Sequence, residues 1–259
     1  MQQLLAPVIS VGIYEPLPFF YRLRLVAPAL VKALKPGQFL LVNTATEYVR
    51  RPFFPITLES DCLSLLVPLV SPLRQLGPGD ELDCTGPLGN GFPMPAHARN
   101  LLLLAQLDGP GIAHQQNGVS FLLSLIDQAL AAGRNVLLIQ EAPTATALFP
   151  HTGLPPGVEV RLVTEDGSRG QRGTALNLIP ELAQWADQIY AVGATEWYVA
   201  LVRTVEAHRL RLGEGLMWGL IAPEVMPCGL GVCAGCAVET RRGYQLACTD
   251  GPVFDLTKI

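Results

Sequence analysis

Charge is scarce in this chain of 259 residues. Charged residues make up 15% of it, and 18 Lys and Arg face 22 Asp and Glu, for a formal net charge of −4. Nucleic-acid-binding proteins normally carry a basic face or stripe, so this balance argues against a nucleic-acid partner. The hydrophobic content of 49% argues equally against intrinsic disorder. A buried subunit interface and a Leu- and Ala-rich genome explain that high content equally well.

Long hydrophobic runs are also absent. The longest apolar stretches, residues 101–105 and 119–125, are much shorter than the roughly 20 residues needed to cross a bilayer. The N-terminus has no cationic start followed by an apolar run and a cleavage site. We therefore expect a cytoplasmic protein without membrane insertion.

Cysteine is unevenly distributed. Four of the six cysteines, at 228, 233, 236 and 248, crowd into one short stretch, whereas Cys62 and Cys84 stand alone. A secreted disulfide framework would spread its cysteines, so the crowding favours ligation in a reducing compartment. Cys62 and Cys84 are typical of inert core thiols.

The cysteine spacing indicates the kind of ligand. Cys228-x4-Cys233-x2-Cys236 followed by Cys248 matches the plant-type arrangement for a [2Fe–2S] cluster. The glycines between the ligands allow backbone N–H groups to turn inward toward the sulfur atoms. A structural zinc ion, which prefers two C-x2-C-like pairs, and uncoordinated thiols are the alternatives. The sequence predicts Cys228, Cys233, Cys236 and Cys248 as the metal ligands.

Composition divides the chain into three regions. Residues 1–97 contain short β-type runs between Pro and Gly, which predict an antiparallel barrel or sandwich. Residues 98–222 alternate buried-type strands with helical stretches at 119–131, 176–185 and 197–208, which predicts an α/β domain with a parallel sheet. Residues 223–259 are rich in Gly and Cys and too short for a core of their own, so we expect a cluster-binding domain there.

Three motifs extend the case beyond the cysteines. The stretch at 224–254 ends in C-x-D-G-P-V-F, residues 79–92 read G-D-E-L-D-C-T-G-P-L-G-N-G-F, and residues 164–170 read T-E-D-G-S-R-G. Together they resemble the electron-transfer subunit of the heterodimeric, NAD-dependent dihydroorotate dehydrogenase, within the ferredoxin-reductase-like flavoproteins. The resemblance implies a flavin-binding barrel, a nucleotide-binding-like α/β domain and a C-terminal [2Fe–2S] segment.

The resemblance also implies FAD between the barrel and the α/β domain. The family's Arg-Pro-x-Ser/Thr motif is half present, because Arg51-Pro52 matches but Phe54 stands where the hydroxyl should be. A guanidinium suits a pyrophosphate because its planar fork pairs with two oxygens. A solvated barrel rim is the alternative role for Arg50 and Arg51. The predicted FAD-binding residues are Arg51, Pro52, Phe53, Thr57, Ser71, Gly86, Pro87, Leu88 and Gly89.

The nicotinamide motifs depart further from the family. The glycine-rich loop after the first α/β strand keeps two glycines and gains Asp108 and Pro110, and the later C-G-P motif reads Val192-Gly193-Ala194. Pro110 removes an N–H donor and Asp108 adds a negative charge where phosphate should lie. We expect NAD(H) to bind weakly or not at all, and we predict no catalytic residue, His114 included.

These features predict an iron–sulfur flavoprotein that does not act alone. The resemblance implies that a catalytic dihydroorotate dehydrogenase subunit of pyrimidine biosynthesis is the partner, with a heterotetramer as one possible assembly. One alternative is a non-catalytic relay subunit that kept the cluster and lost nucleotide binding. Another is the reductase subunit of a different oxidoreductase complex.

Overall fold

The computed structural model describes residues 1–44, 49–107, 118–209, 213–223 and 225–259. Over these residues it contains two seven-stranded sheets and one two-stranded hairpin. The first sheet is formed by the N-terminal region and the second by the middle region, as the composition predicts. The cysteine-rich segment contacts both.

The first sheet is antiparallel throughout and forms an open barrel. Its strands follow the order β4-β3-β7-β1-β2-β6-β5, and helix α1 (Pro28–Ala33) follows β2. Alternating apolar side chains of β2 and β6 fill its interior, because successive residues of a strand point to opposite faces. The strands are β1 (Gln2–Ile13), β2 (Phe20–Val26), β3 (Phe39–Val42), β4 (Arg51–Phe53), β5 (Thr57–Glu59), β6 (Cys62–Pro68) and β7 (Glu81–Leu88).

Strand β1 is the longest strand of the described residues. It contains Pro7 and lacks a clean alternation, since only Ala6 and Val8 are fully buried along it. Proline normally argues against a strand inside a sheet. Here β1 lies between β7 and β2, so its place is set by partners far along the chain.

The second sheet is parallel except for its last strand. Its order is β11-β10-β9-β8-β12-β13-β16, and only β16 runs antiparallel to its neighbour. Near-continuous apolar runs form β8, β9 and β12 because both faces of the sheet are covered. The strands are β8 (Asn100–Gln106), β9 (Asn135–Ala142), β10 (Glu159–Thr164), β11 (Gln171–Arg172), β12 (Gln188–Val192), β13 (Met217–Leu220) and β16 (Val253–Asp255).

Helices cover both faces of this sheet. Helices α2 (Ser120–Ala131) and α4 (Thr195–His208) confirm two of the predicted helices. The predicted helix at 176–185 is wrong in length, since a 3₁₀ turn (Ala175–Leu178) leads into the single-turn α3 (Ile179–Leu182). Pro180 lies in the first turn of α3 and cannot donate to a preceding turn, so a continuous helix across 176–185 is disfavoured.

The cysteine-rich segment adds a hairpin and one strand. Strands β14 (Ala237–Thr240) and β15 (Gly243–Leu246) pair only with each other, whereas β16 completes the α/β sheet beside β13. The end of the segment is therefore part of a larger sheet, which supplies the core that the segment lacks. Within the described residues, no helix is both long enough and apolar enough to cross a membrane.

Replacing Leu138 tests the packing of the α/β sheet. Leu138 lies in β9 and is fully buried, so Leu138→Ala should lower the free energy of unfolding by about 2–5 kcal/mol through lost burial and a cavity. Leu5→Ala is the matched control, since Leu5 is 59% exposed and its loss should cost under about 0.5 kcal/mol. Denaturant titration of both variants measures the difference, and equal losses would contradict this description of the core.

Candidate functional site

The four clustered cysteines lie in and around one loop. Cys236 and Cys248 are buried, Cys228 is half-buried and Cys233 is exposed. The backbone of the loop adopts positive φ at Gly229, Gly231 and Ala234. Glycine adopts such angles without a steric penalty, which explains the glycines between the ligands.

Backbone N–H groups of this loop point at the sulfur atoms. The N–H of Leu230 donates to Cys228 Sγ at 3.4 Å, and that of Cys248 donates to Cys236 Sγ at 3.4 Å. Hydrogen bonds from the backbone of Leu230, then from Cys233 and Val232, lower the pKa of Cys228 to about 6. Amides that stabilise a thiolate suit a metal ligand, since the thiolate is the ligating form.

The four thiols influence one another's protonation. Burial, followed by the hydrogen bond with Cys236, raises the pKa of Cys248 to about 11, and the charges of Cys236 and Cys228 also raise it. Among the described residues, no three Cys, His, Asp or Glu side chains surround one point that a single metal ion could occupy. The choice between two irons and one tetrahedral zinc therefore rests on the C-x4-C-x2-C spacing with one distant cysteine, which is typical of a [2Fe–2S] cluster.

The remaining cysteines match the prediction of inert thiols. Cys84 is fully buried in the barrel, and burial raises its pKa to about 12. Cys62 is half-buried in β6. Neither thiol lies in the cysteine-rich segment.

The barrel holds the cysteine loop through close backbone contacts. A methyl group at Gly229 would lie 2.7 Å from the Leu41 side chain of β3, and the φ of +64° also disfavours any side chain there. Gly89 faces Pro252 and Gly251 in the same way, and Asn90 Nδ2 donates to the Asp250 carbonyl at 2.7 Å. The G-P-L-G-N segment of the barrel, residues 86–90, thus contacts the D-G-P segment of the tail, residues 250–252. Asn90 was missed as a candidate, although it belongs to the recognised motif.

The predicted FAD-binding residues fall into two groups in the structure. Pro52 and Phe53 lie on β4, Gly86 and Leu88 lie on β7, and Gly89 directly follows β7; strand β3 lies between β4 and β7. Pro87 is in β7 as well, and Arg51 begins β4 and is half-buried. Thr57 and Ser71 lie on the β5–β6 side, at the opposite edge of the open barrel.

The hydroxyl groups of that second group already have partners. Thr57 Oγ1 accepts from Arg22 Nη2 at 3.4 Å, and Ser71 Oγ accepts from the N–H of Leu73 at 3.3 Å, which caps its own 3₁₀ turn. Arg50 Nη2 pairs with Asp83 at 2.6 Å, and its Nη1 donates to Thr85. Arg50 is therefore paired within the barrel, and Arg51 stays the predicted residue for a pyrophosphate.

Phe54 fills the position where the family motif has a hydroxyl. It is 5% exposed and packs edge-on against Phe121 of α2, with 4.9 Å between ring centroids, and lies 5.6 Å from the Phe39 ring. This aromatic group joins the barrel to the α/β domain. Residue 54 thus offers no hydroxyl to a flavin, whereas the role predicted for Arg51 stays a prediction.

Of the two altered nicotinamide motifs, only the second lies within the described residues. Asp108, Pro110 and His114 lie outside the described residues. Gly193 and Ala194 follow β12 directly, at the carboxyl edge of the parallel sheet, where such sheets bind ligands.

Comparison with known proteins shows which family the chain belongs to. The iron–sulfur cluster binding domain of dihydroorotate dehydrogenase B matches residues 223–259. The electron transfer subunit of dihydroorotate dehydrogenase B (NAD(+)) from Geobacillus kaustophilus is 30% identical over 249 residues, covering 90% of each chain. The chain belongs to this family of electron transfer subunits. The family member from Caldanaerobacter subterraneus is 28% identical over 236 residues, covering 85% of this chain and 84% of its own.

Solved structures confirm the fold. An NADH-dependent reduced ferredoxin–NADP oxidoreductase structure superposes with a TM-score of 0.74 at 22% identity, covering 98% of this chain and 89% of its own. The ferredoxin reductase of carbazole 1,9a-dioxygenase gives a TM-score of 0.61 at 18% identity, covering 81% and 67%. The predicted combination of a barrel, an α/β domain and a C-terminal cluster segment is therefore confirmed for this member of the electron transfer subunit family.

Cysteine substitutions test the ligand assignment. Cys228→Ser, Cys236→Ser and Cys248→Ser should each abolish the iron and acid-labile sulfide of anaerobically prepared protein, because each iron needs both of its thiolates. Cys62→Ser is the matched control and should retain two irons and two sulfides per chain. Full cluster content in any of the three ligand variants, or zinc in place of iron in the unaltered chain, would contradict the assignment.

Proposed function

We propose that this chain is the electron transfer subunit of a dihydroorotate dehydrogenase complex of pyrimidine biosynthesis in the cytoplasm. It passes electrons between a catalytic dehydrogenase subunit and FAD through a [2Fe–2S] cluster. The observation that carries the proposal is the loop of Cys228, Cys233, Cys236 and Cys248, in which backbone N–H groups donate to Cys228 Sγ and Cys236 Sγ. Family membership over 90% of the chain supports it.

The division of labour follows the three segments. Residues 1–97 would hold the flavin, residues 98–222 would form the nucleotide-binding-like domain, and residues 223–259 would hold the cluster. Arg51 would bind the pyrophosphate of FAD at the edge of the barrel. When bound, the cluster supplies one-electron exchange and the flavin accepts two electrons, which lets a two-electron dehydrogenation feed a one-electron carrier.

The protein's own contribution is the position and environment of the sulfur atoms. Inward N–H groups of Leu230 and Val232 stabilise negative charge on Cys228, which favours the more reduced state of a bound cluster. Cys233 is exposed, and the neighbouring Val232 is 81% exposed. A catalytic subunit could therefore approach the ligand loop directly.

A relay subunit without flavin is the second candidate. Phe54 in place of the hydroxyl, and the internal partners of Thr57 and Ser71, favour it. The absorption spectrum of anaerobically purified protein separates the two candidates. Flavin bands at about one per chain beside the cluster bands would exclude the relay form.

Reconstitution tests the electron-transfer function. With an equimolar catalytic subunit, dihydroorotate should reduce the flavin of this chain, and the Cys236→Ser variant should slow that reduction by at least about tenfold, because the cluster lies on the path. Stopped-flow absorption under anaerobic conditions measures it. If no complex with the catalytic subunit forms, or if the rate is the same without the cluster, the proposal is wrong.

Replacing Arg51 tests the flavin site. Arg51→Ala removes a charge-assisted hydrogen-bond donor that is worth about 1.5–3 kcal/mol, so FAD should bind at least about tenfold more weakly. Arg74→Ala is the matched control, since Arg74 is exposed in the turn after Ser71. Equilibrium dialysis against FAD measures both variants. Equal FAD affinity in Arg51→Ala and in the unaltered chain would remove Arg51 from the site.

A further inference from the structure

The predicted ligand Cys248 lies apart from the other three cysteines in sequence. It lies in a turn at residues 247–250, directly after β15, and this turn is called the Cys248 turn below. The place of Cys248 beside the other ligands therefore depends on what holds the turn. Metal ligands are usually oriented by hydrogen-bonded neighbours that do not bind the metal themselves.

The Cys248 turn is closed by the side chain of Asp250. The N–H of Leu246, the last residue of β15, donates to Asp250 Oδ2 at 2.7 Å. The carbonyl of Leu246 accepts from the N–H of Asp250 at 2.7 Å and from that of Thr249 at 3.1 Å. Both backbone groups of the residue before the turn are thus bonded to residues beyond Cys248, and the ligand lies inside the resulting ring.

The same turn contacts the loop of the other ligands. The N–H of Ala247 donates to the Cys236 carbonyl at 3.0 Å, and the N–H of Cys248 donates to Cys236 Sγ at 3.4 Å. A methyl group at Gly231 would lie 3.0 Å from the Thr249 side chain, so the ligand loop lies against the turn. A shift of the turn would therefore displace Cys248 and also the amide that is bonded to Cys236.

The barrel holds the turn from the other side. Asn90 Nδ2 donates to the Asp250 carbonyl at 2.7 Å, and the backbone N–H of Asn90 donates to the Gly251 carbonyl. Asp250 thus binds Leu246 through its carboxylate and the barrel through its carbonyl. Two motifs that are 160 residues apart in the chain meet at this one residue.

A solvated surface role is the alternative for Asp250 and Asn90, since both residues are exposed. Exposed side chains fill no core, and a single hydrogen bond of this kind adds little to global stability. The bonds of Asp250 and Asn90, however, all lie on the backbone within three residues of Cys248. Their contribution is therefore the position of that backbone.

We propose that Asp250 and Asn90 are positioning residues for the cluster, and that neither is a ligand. Asp250 closes the turn that presents Cys248, and Asn90 fixes this turn to the barrel. The inference rests on the proposed function, because it concerns how one predicted ligand of the electron-transfer cluster is held in place.

Substitution of Asp250 tests the first half of the inference on the complete chain, purified anaerobically with its cluster. Asp250→Ala removes the acceptor for Leu246, so iron release to bathophenanthroline disulfonate should become about two- to tenfold faster, as the loss of one hydrogen bond allows. The electron paramagnetic resonance spectrum of the reduced cluster should shift as well. Asp250→Asn keeps an acceptor oxygen and should restore both properties. Glu239→Ala removes an exposed carboxylate from β14 of the same segment and should change neither.

Substitution of Asn90 tests the second half. Asn90→Ala removes the donor to the Asp250 carbonyl and keeps the backbone bond to Gly251, so iron release should again become about two- to tenfold faster. Gln3→Ala is the matched control, because it removes another exposed amide donor of the barrel, which bonds to Asp83 at 3.0 Å. The control should release iron at the rate of the unaltered chain.

Amide hydrogen exchange reads the turn without reference to the metal. Measured by mass spectrometry on the complete chain, exchange at Leu246 should be at least about twofold faster in Asp250→Ala than in the unaltered chain and in Glu239→Ala, because the N–H has lost its acceptor. Iron-free unaltered chain would contradict the proposed function, whereas the exchange measurement would still test the turn.

Four results would overturn the inference. They are an unchanged iron release rate in Asp250→Ala or in Asn90→Ala, an equal effect in Glu239→Ala, failure of Asp250→Asn to restore the spectrum, and unchanged exchange at Leu246 in Asp250→Ala.

Discussion

The position of the cysteine-rich segment depends on close contact between its backbone and two larger sheets. Residues 223–259 have too few apolar side chains for a core, and the segment is fixed because Gly229 and Gly89 let its backbone touch the barrel. Its last strand, β16, pairs with β13 of the α/β sheet. Side chains at these glycines would separate the ligand loop from the barrel, so the contact constrains the sequence of both partners.

This arrangement links the three segments into one electron-transfer unit. Core packing is continuous from the barrel through α2 to Cys236 and Cys248, with Phe54 and Phe121 in contact between the barrel and the α/β domain. The same packing explains why Phe54 is tolerated at a position where the family has a hydroxyl. The Phe54 ring stabilises the contact between the barrel and the α/β domain through burial rather than through a hydrogen bond.

The carboxyl edge of the α/β sheet has the fold of its structural neighbours, and its hydrogen bonds are made by this chain's own side chains. The strand order and the helix that follows the edge match the ferredoxin-reductase-like fold. At that edge, the N–H groups of Gly193 and Ala194 donate to Tyr198 and Gln106 of the same chain. The fold of the edge is thus shared with the structural neighbours, whereas these hydrogen bonds are made by particular side chains of this protein.

The sequence by itself determined the local features of this protein. Cysteine spacing predicted the ligand set, and the periods of apolar residues predicted most strands together with α2 and α4, because these patterns depend on neighbours within a few residues. Only the tertiary structure placed β1 inside the barrel despite Pro7, joined β16 to the distant β13, and brought Gln106, Glu141 and Trp197 together. Those contacts join residues far apart in the chain, and no local pattern records which distant partner completes a hydrogen bond.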